Sequence, residues 1–359
     1  MADLDAFLRA SGVPVEEVER AEKAGTLELL VLEQLLSVHP PVWDLDTLAA
    51  KADLSGEVME RLWLAMGFPD PQPGAAVASE DDLHILQWAD QRIRDPQQID
   101  RTLQALRVYS SSLARMAETT ADEVGDAVAE ARAAGLSDRS RAELVLGRVD
   151  REALERAVSH LYRLQLLAAF RRRLAIVETD TLQQELSIGF IDLVDFTAVS
   201  QELEPADLAG VVTEFESRAF DTVAEHGARV VKTIGDEVMF SSTSPAVAVA
   251  IALRLAGDER RGPLTPDVRA GVAHGPVVVR WGDAFGPVVN LASRLVNVAN
   301  PGTVLVSDTV QRMLVDDGDL AFRELRPRSL KGIGRVPVWL VRQKSTVRPD
   351  AGAVGDGLE

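Results

Sequence analysis

Lys232 and Asp236 stand four residues apart in VKTIGDEVMF (231–240), a run that otherwise has the character of buried strand. Gly235 can take the positive φ that opens a type II′ turn, so the run is a β-hairpin with Asp236 at its tip. Asp192 lies in FIDLVDFTAVS (190–200), where a strand ends, a tight turn follows, and a helix begins near Asp195 to Thr197. Free backbone N–H groups beside a carboxylate can hold polyphosphate while the aspartate holds its cation. If the two strands are neighbours, Asp192 and Asp236 converge, and a divalent cation such as Mg²⁺ offsets their repulsion. A third stretch, GDAFGPVVNLASRL (282–295), sets Asn290 and Arg294 one turn apart on a helix that Pro287 can open. An amide beside a guanidinium suits developing phosphoryl charge. Each stretch also has a plain structural reading: a Gly-Asp turn, an N-cap at Asp195 or Thr197, and a solvated helix face.

The elements that must position these residues fall in the second half of the chain. From residue 185 to 344 strands and helices alternate, and the hairpins require antiparallel pairing, so this half is α+β. Residues 1–170 are expected to be all-helical. Ile99, Leu103, Leu106, Ser110, Leu113 and Ala117 form one seam, and Leu154, Val158, Leu161 and Ala168 form another, ending in the basic cluster Arg171 to Arg173. Such seams suit a helical bundle or a helix-mediated dimer. FPDPQPGAA (68–76) must be a loop, because its three prolines allow neither helix nor central strand. Residues 171–184 are read as a linker and 345–359 as a disordered tail.

Composition narrows the partners. The 359 residues include no cysteine, which excludes disulfides and thiolate-bound metal. A net charge of −18 opposes nucleic acid or anionic lipid as a general partner. Residues 45–68 have helix-turn-helix spacing and resemble the winged-helix modules of MerR-type regulators, yet Glu57 and Glu60 oppose phosphate contacts, and no DNA partner is expected. There is neither an apolar run of membrane-spanning length nor a signal-peptide pattern, so a cytoplasmic protein without membrane partners is expected.

Four motifs together, FxDxxxFT (190–197), KTIGDEVM (232–239), GDAFGPVVNLASR (282–294) and SLKGI (329–333), resemble in order and spacing the catalytic domain of class III adenylate cyclases. The resemblance implies a ferredoxin-like core preceded by an all-α regulatory domain of the actinobacterial two-domain type. It assigns Asp192 and Asp236 to two Mg²⁺ or Mn²⁺ ions per site, and Lys232 and Asp283 to the purine. Asn290 and Arg294 fall to the transition state, Lys331 to the triphosphate, and Phe196 and Thr197 to substrate binding. It further implies a head-to-tail homodimer with shared active sites, in which Lys232 and Asp236 of one hairpin serve different sites. Adenine offers an acceptor at N1 and a donor at its 6-amino group, which a lysine and an aspartate complement; guanine reverses both, so ATP is the expected substrate.

Rival readings remain open on sequence. IGDEV (234–238) echoes the GGDEF signature of diguanylate cyclases, although Ile234 stands in place of one of its two glycines. A guanylate cyclase fits Lys232 and Asp283 poorly. A nucleotide-sensing regulator would need the metal and transition-state pairs to be idle. The regulatory signal is not named: pH acting at His160 and a small hydrophobic molecule among the N-terminal helices are both candidates.

Overall fold

Polar caps fix the starts of most helices in the N-terminal half. The computed structural model describes residues 3–37, 39–95, 97–174, 183–257 and 266–344, and the chain divides into two units, Met1–Val177 and Glu178–Glu359. The first contains α1 (Leu4–Ala10), α2 (Val15–Ala24), α3 (Leu27–Leu36), α4 (Leu45–Lys51), α5 (Gly56–Ala65), α6 (Glu80–Arg94), α7 (Ile99–Ala133), α8 (Asp138–Arg148) and α9 (Arg151–Leu174). Asp3, Asp44, Ser55, Ser79 and Ser137 each accept a hydrogen bond from the first turn they precede, satisfying donors that a helix start leaves open. Leu4, Leu27, Val31, Ala142 and Val145 form one buried cluster, and Leu62, Ala65, Ile93 and Leu103 another.

The helix-turn-helix spacing is present as α4 and α5, and the proline-rich stretch is irregular chain between α5 and α6. The expected seam on α7 behaves differently. Leu103 is buried, Ile99, Leu106 and Ser110 are half-buried, and Leu113 and Ala117 are exposed. At 35 residues α7 outruns its cover, for α5 and α6 pack near its start and α8 near its end. On α9 no residue is buried, and Leu161, Leu164 and Phe170 are each more than half exposed.

The second unit contains β1 (Gln183–Leu193), α10 (Phe196–Glu202), α11 (Pro205–Glu225), β2 (Arg229–Ile234), β3 (Glu237–Ser242), α12 (Pro245–Ala256), β4 (Val268–Arg280), β5 (Asp283–Phe285), α13 (Pro287–Val298), β6 (Val304–Ser307), α14 (Asp308–Leu314), β7 (Leu320–Leu330) and β8 (Gly334–Gln343). The sheet runs β2-β3-β1-β4-β6-β8-β7, with β5 on β4. Its first four strands are antiparallel in the ferredoxin-like order β2-β3-β1-β4. The regular segments extend beyond the expected limits: α9 runs to Leu174 and β1 begins at Gln183. Residues 345–359 lie outside the described residues.

Both sheet faces are covered, which is why β1 reads as a continuous apolar run. Ile191, Leu193, Phe240 and Val272 meet α11 and α12, whereas Ile188, Phe190, Met239 and Ala273 meet α13. Two glycines set the spacing. A Cβ on Gly189 would lie 2.1 Å from the Phe240 ring, and one on Gly271 would lie 2.4 Å from the Val296 nitrogen. Gly271 therefore lets α13 rest directly on β4.

Candidate active site

Strand alternation builds the site's acidic end. In register, Asp192 faces Glu237 on β3 and Arg269 on β4. Asp192, Glu237 and Arg269 share parity with Phe190, Met239 and Gly271, so they prolong the face that carries α13. The turn between β2 and β3 has Gly235 at φ 63°, and the carbonyl of Asp236 accepts from the Leu193 N–H at 3.2 Å. The hairpin tip is thereby tied to the end of β1, and Asp192 and Asp236 line one cavity of about 500 Å³ together with Phe196, Arg269 and Asn297.

The electrostatics of this end are unbalanced. Arg269 donates to Asp192 Oδ2 from Nε at 2.8 Å and from Nη2 at 2.6 Å, leaving Oδ1 open. Burial still raises the Asp192 carboxyl above its ordinary range, with Asp236 adding to the rise and Arg269 opposing it. Glu237 is pushed up to about 7 by burial and then by the charges of Asp192 and Asp236. Asp192 and Asp236 against one guanidinium leave a negative excess in the cavity; among the described residues no three acidic or histidine side chains form a metal cluster, and two hard oxygen donors fit a small divalent cation that completes its shell with water and phosphate. Asp195, the residue before α10, takes a left-handed φ of 55° and makes no side-chain cap. That is a strained non-glycine conformation next to the cavity, and it sets aside the N-cap reading of Asp195. Of Thr197 only the backbone, within α10, is described.

A second group forms where β2 passes the β4–β5 turn. Lys232 Nζ donates to Asp283 Oδ2 at 2.6 Å, and Asp283 Oδ1 accepts from the Ala284 N–H at 2.8 Å. The carboxylate is thus held from two sides with acceptor capacity to spare, and the pair is partly exposed.

Asn290 and Arg294 project from the first two turns of α13, which Pro287 opens after Gly286 at φ 134°. Both are exposed and have no side-chain partner among the described residues. Lys331 is exposed in the β7–β8 turn. Neither these three nor Lys232 and Asp283 line the Asp192–Asp236 cavity. A larger groove, about 1090 Å³ along α12, holds none of the expected residues. Arg269 and Glu237 escaped the sequence reading. Their signal is register: in VRAGVAHG and GDEVM each is a charged residue on an otherwise apolar strand, and only the pairing brings both to Asp192.

The profile of the adenylate and guanylate cyclase catalytic domain matches residues 179–343, and an adenylate cyclase of Streptomyces griseus is 32% identical over 272 residues, 76% of this chain and 68% of its own. The chain belongs to the adenylate and guanylate cyclase family. An uncharacterised protein of Mycobacterium tuberculosis is 33% identical to this cyclase over 338 residues, 92% of this chain and 87% of its own. The crystal structure of the adenylyl cyclase CyaB from P. aeruginosa has a TM-score of 0.41 and 20% identity, covering 46% of this cyclase and 96% of that chain. No helix among the described residues is long and apolar enough to cross a membrane.

Proposed function

We propose that this cyclase converts ATP to 3′,5′-cyclic AMP and pyrophosphate at sites shared between two head-to-tail copies of the chain. The observation that carries the choice of base is the Lys232–Asp283 pair, a donor held 2.6 Å from an acceptor. Adenine presents N1 to the lysine and its 6-amino group to the aspartate, whereas guanine in the same pose sets a proton against the lysine and a carbonyl against the carboxylate. Buried or half-buried polar groups left facing like partners reject a base strongly.

Asp192 and Asp236 are the residues that would hold Mg²⁺ or Mn²⁺. Bound there, divalent cations supply Lewis acidity, easing proton loss from the 3′-hydroxyl and neutralising phosphate charge. Arg269, already in the cavity, is the guanidinium there that would bind a phosphate oxygen. Arg294 and Lys331 stabilise charge on the transferring phosphorus and on pyrophosphate, and Asn290 orients the ribose and α-phosphate. Because Asn290, Arg294 and Lys331 stand outside the carboxylate cavity of their own chain, a second copy is the natural source of these groups.

The uncovered apolar face of α9 supports the same assembly in the N-terminal unit. There a second copy buries the side of the helix that carries Leu154, Leu161 and Leu164, and the state of that dimer sets whether two catalytic units close, a population shift between inactive and active pairs. The deciding experiment offers equimolar ATP and GTP with Mg²⁺ or Mn²⁺ to the purified chain and identifies products by chromatography. Cyclic AMP is expected; cyclic GMP as the main product would overturn the reading of the base, and no cyclic product under either metal would overturn the reading of turnover.

A further inference from the structure

β2 contains an irregularity whose effect is to aim two cations at one turn. Arg229 pairs with Ser241 and Val230 with Phe240, but Lys232 pairs with Met239, so Val231 is an extra residue on its strand. Without the bulge, Arg229 and Lys232 would point to opposite sheet faces. With it they share the face of Ser241 and Met239, and both reach the β4–β5 turn. Lys232 takes the Asp283 carboxylate, and the guanidinium of Arg229 donates to the Gly282 carbonyl, one residue before Asp283.

That turn requires support. Its two central residues, Trp281 and Gly282, have φ of 56° and 79°, a left-handed pair that glycine adopts freely and tryptophan does not. The Arg280 guanidinium lies 5.6 Å from the Trp281 ring centroid, which restrains the indole but leaves the carbonyl side of the turn to Arg229.

We propose that Arg229 is a positioning residue for purine selection: by fixing the Gly282 carbonyl it holds the Asp283 carboxylate at the place where only adenine is complemented. The proposal rests on the base-reading role of Lys232 and Asp283 given above. Its logic lies in where the pair stands, since at ring positions 1 and 6 adenine offers an acceptor and a donor, and guanine a donor and an acceptor. A locked pair meets adenine correctly and guanine wrongly. A pair released from the turn can instead exchange places, the lysine swinging to the guanine O6 and the carboxylate to its N1–H. Discrimination therefore depends on the stiffness of the turn.

The test compares kcat/KM for ATP and for GTP in the full chain and in the variants Arg229→Met, Arg229→Gln, Arg229→Lys, Lys232→Ala and Asp283→Asn. Arg229→Met should lower the ATP:GTP ratio about tenfold, mainly through a higher KM for ATP and a gain with GTP, since small misplacements of a binding group are costly. Arg229→Lys, which can still donate to the carbonyl, should restore most of the ratio. Arg229→Gln keeps a donor too short to reach and should behave like the methionine variant, which covers the case where methionine does not fold. An unchanged ratio in the methionine or glutamine variant, with the ratio shifted in Lys232→Ala, would overturn the role of Arg229. Unchanged ratios in Lys232→Ala and Asp283→Asn would instead remove the base-reading role, and the proposal with it.

Discussion

Ile188 and Ile191 of the C-terminal unit point to opposite sides of the sheet and are both wholly buried, while α9 of the N-terminal unit, with eight large apolar side chains well exposed between Leu154 and Leu174, buries none. The catalytic unit has a complete scaffold and, on the proposed reading, divided chemistry: Asp192 and Asp236 share a cavity with Arg269, whereas Arg294 and Lys331 stand outside it. The helical unit has side-chain caps on most of its helices and most buried charges paired, and leaves the large apolar side chains of α9 uncovered. On the reading proposed above, a second copy would supply each half with what it leaves open, the first in charge and the second in apolar area. Exposed stripes of this kind mark interaction surfaces.

The divided chemistry is open to the strongest test. Asp236→Ala should lower turnover on the order of 10³-fold, several kcal/mol of barrier, by removing a cation ligand. Arg294→Ala should cost about 10²- to 10³-fold, roughly 3–4 kcal/mol. Neither residue is buried in a core, so both variants should keep the wild-type thermal midpoint. Mixing the two inactive variants should restore part of the activity, because one of the two sites in a mixed pair then holds every group. No recovery on mixing, in a mixture shown to exchange subunits, would place each site within one chain.

A pair of identical substitutions sharpens the contrast in packing. Gly271→Ala inserts a Cβ 2.4 Å from the Val296 nitrogen and 2.6 Å from the Ala292 carbonyl. Backbone cannot yield as a side-chain tip does, and overpacking of this kind costs about 1–3 kcal/mol. The displaced element is α13, so activity should fall with stability as Asn290 and Arg294 move. Gly125→Ala, on an exposed stretch of α7 with nothing within 4 Å, should stabilise its unit by up to about 1 kcal/mol through helix propensity and a less flexible unfolded chain. Denaturant midpoints of the two variants should move in opposite directions.

The same contrast explains what was legible beforehand. The β2–β3 hairpin, the α13 start at Pro287 and the α4–α5 pair were readable because local chemistry fixes them: Gly235 at a positive φ, proline in a first helical turn, and a Ser55 cap. The join of Lys232 to Asp283 was readable through the family resemblance. Arg269 and Glu237 were not, because their meeting with Asp192 depends on strand register between segments far apart in sequence. The exposure of Leu113 was also hidden, since periodicity shows that a helix has an apolar face without showing whether the chain is long enough to cover it.

The smallest expected effects are pH-dependent and opposite in sign at two groups, His274 of the C-terminal unit and Asp138 of the N-terminal unit. In the C-terminal unit, burial holds His274 below its ordinary value, Glu185 opposing, while its Nδ1 lies 2.9 Å from Ser187 Oγ. The contribution of the neutral ring is whole above the unfolded value of about 6.5 and is lost as pH falls toward the lowered native value. In the N-terminal unit, burial and then Glu28 raise the Asp138 carboxyl. Glu28 is held low by its own backbone N–H, Asp138 and Arg141, which together outweigh its burial. One oxygen of each, Glu28 Oε2 and Asp138 Oδ2, is buried and unpaired, so the protonated Asp138 is the favoured partner of an ionised Glu28. Its contribution is whole below the unfolded value of about 3.9 and is lost as pH rises through the raised native value. Asp138→Asn keeps an uncharged donor at every pH while still accepting from Arg141, and should flatten this acid-side slope in hydrogen exchange of α3 and α8. His274→Gln should remove the ring's own part of the slope below pH 6.5 in β1 and β4, leaving the part due to Asp192, each change staying under about 1 kcal/mol. A slope that persists in α3 and α8 of Asp138→Asn would mean that the two carboxyls do not share a proton.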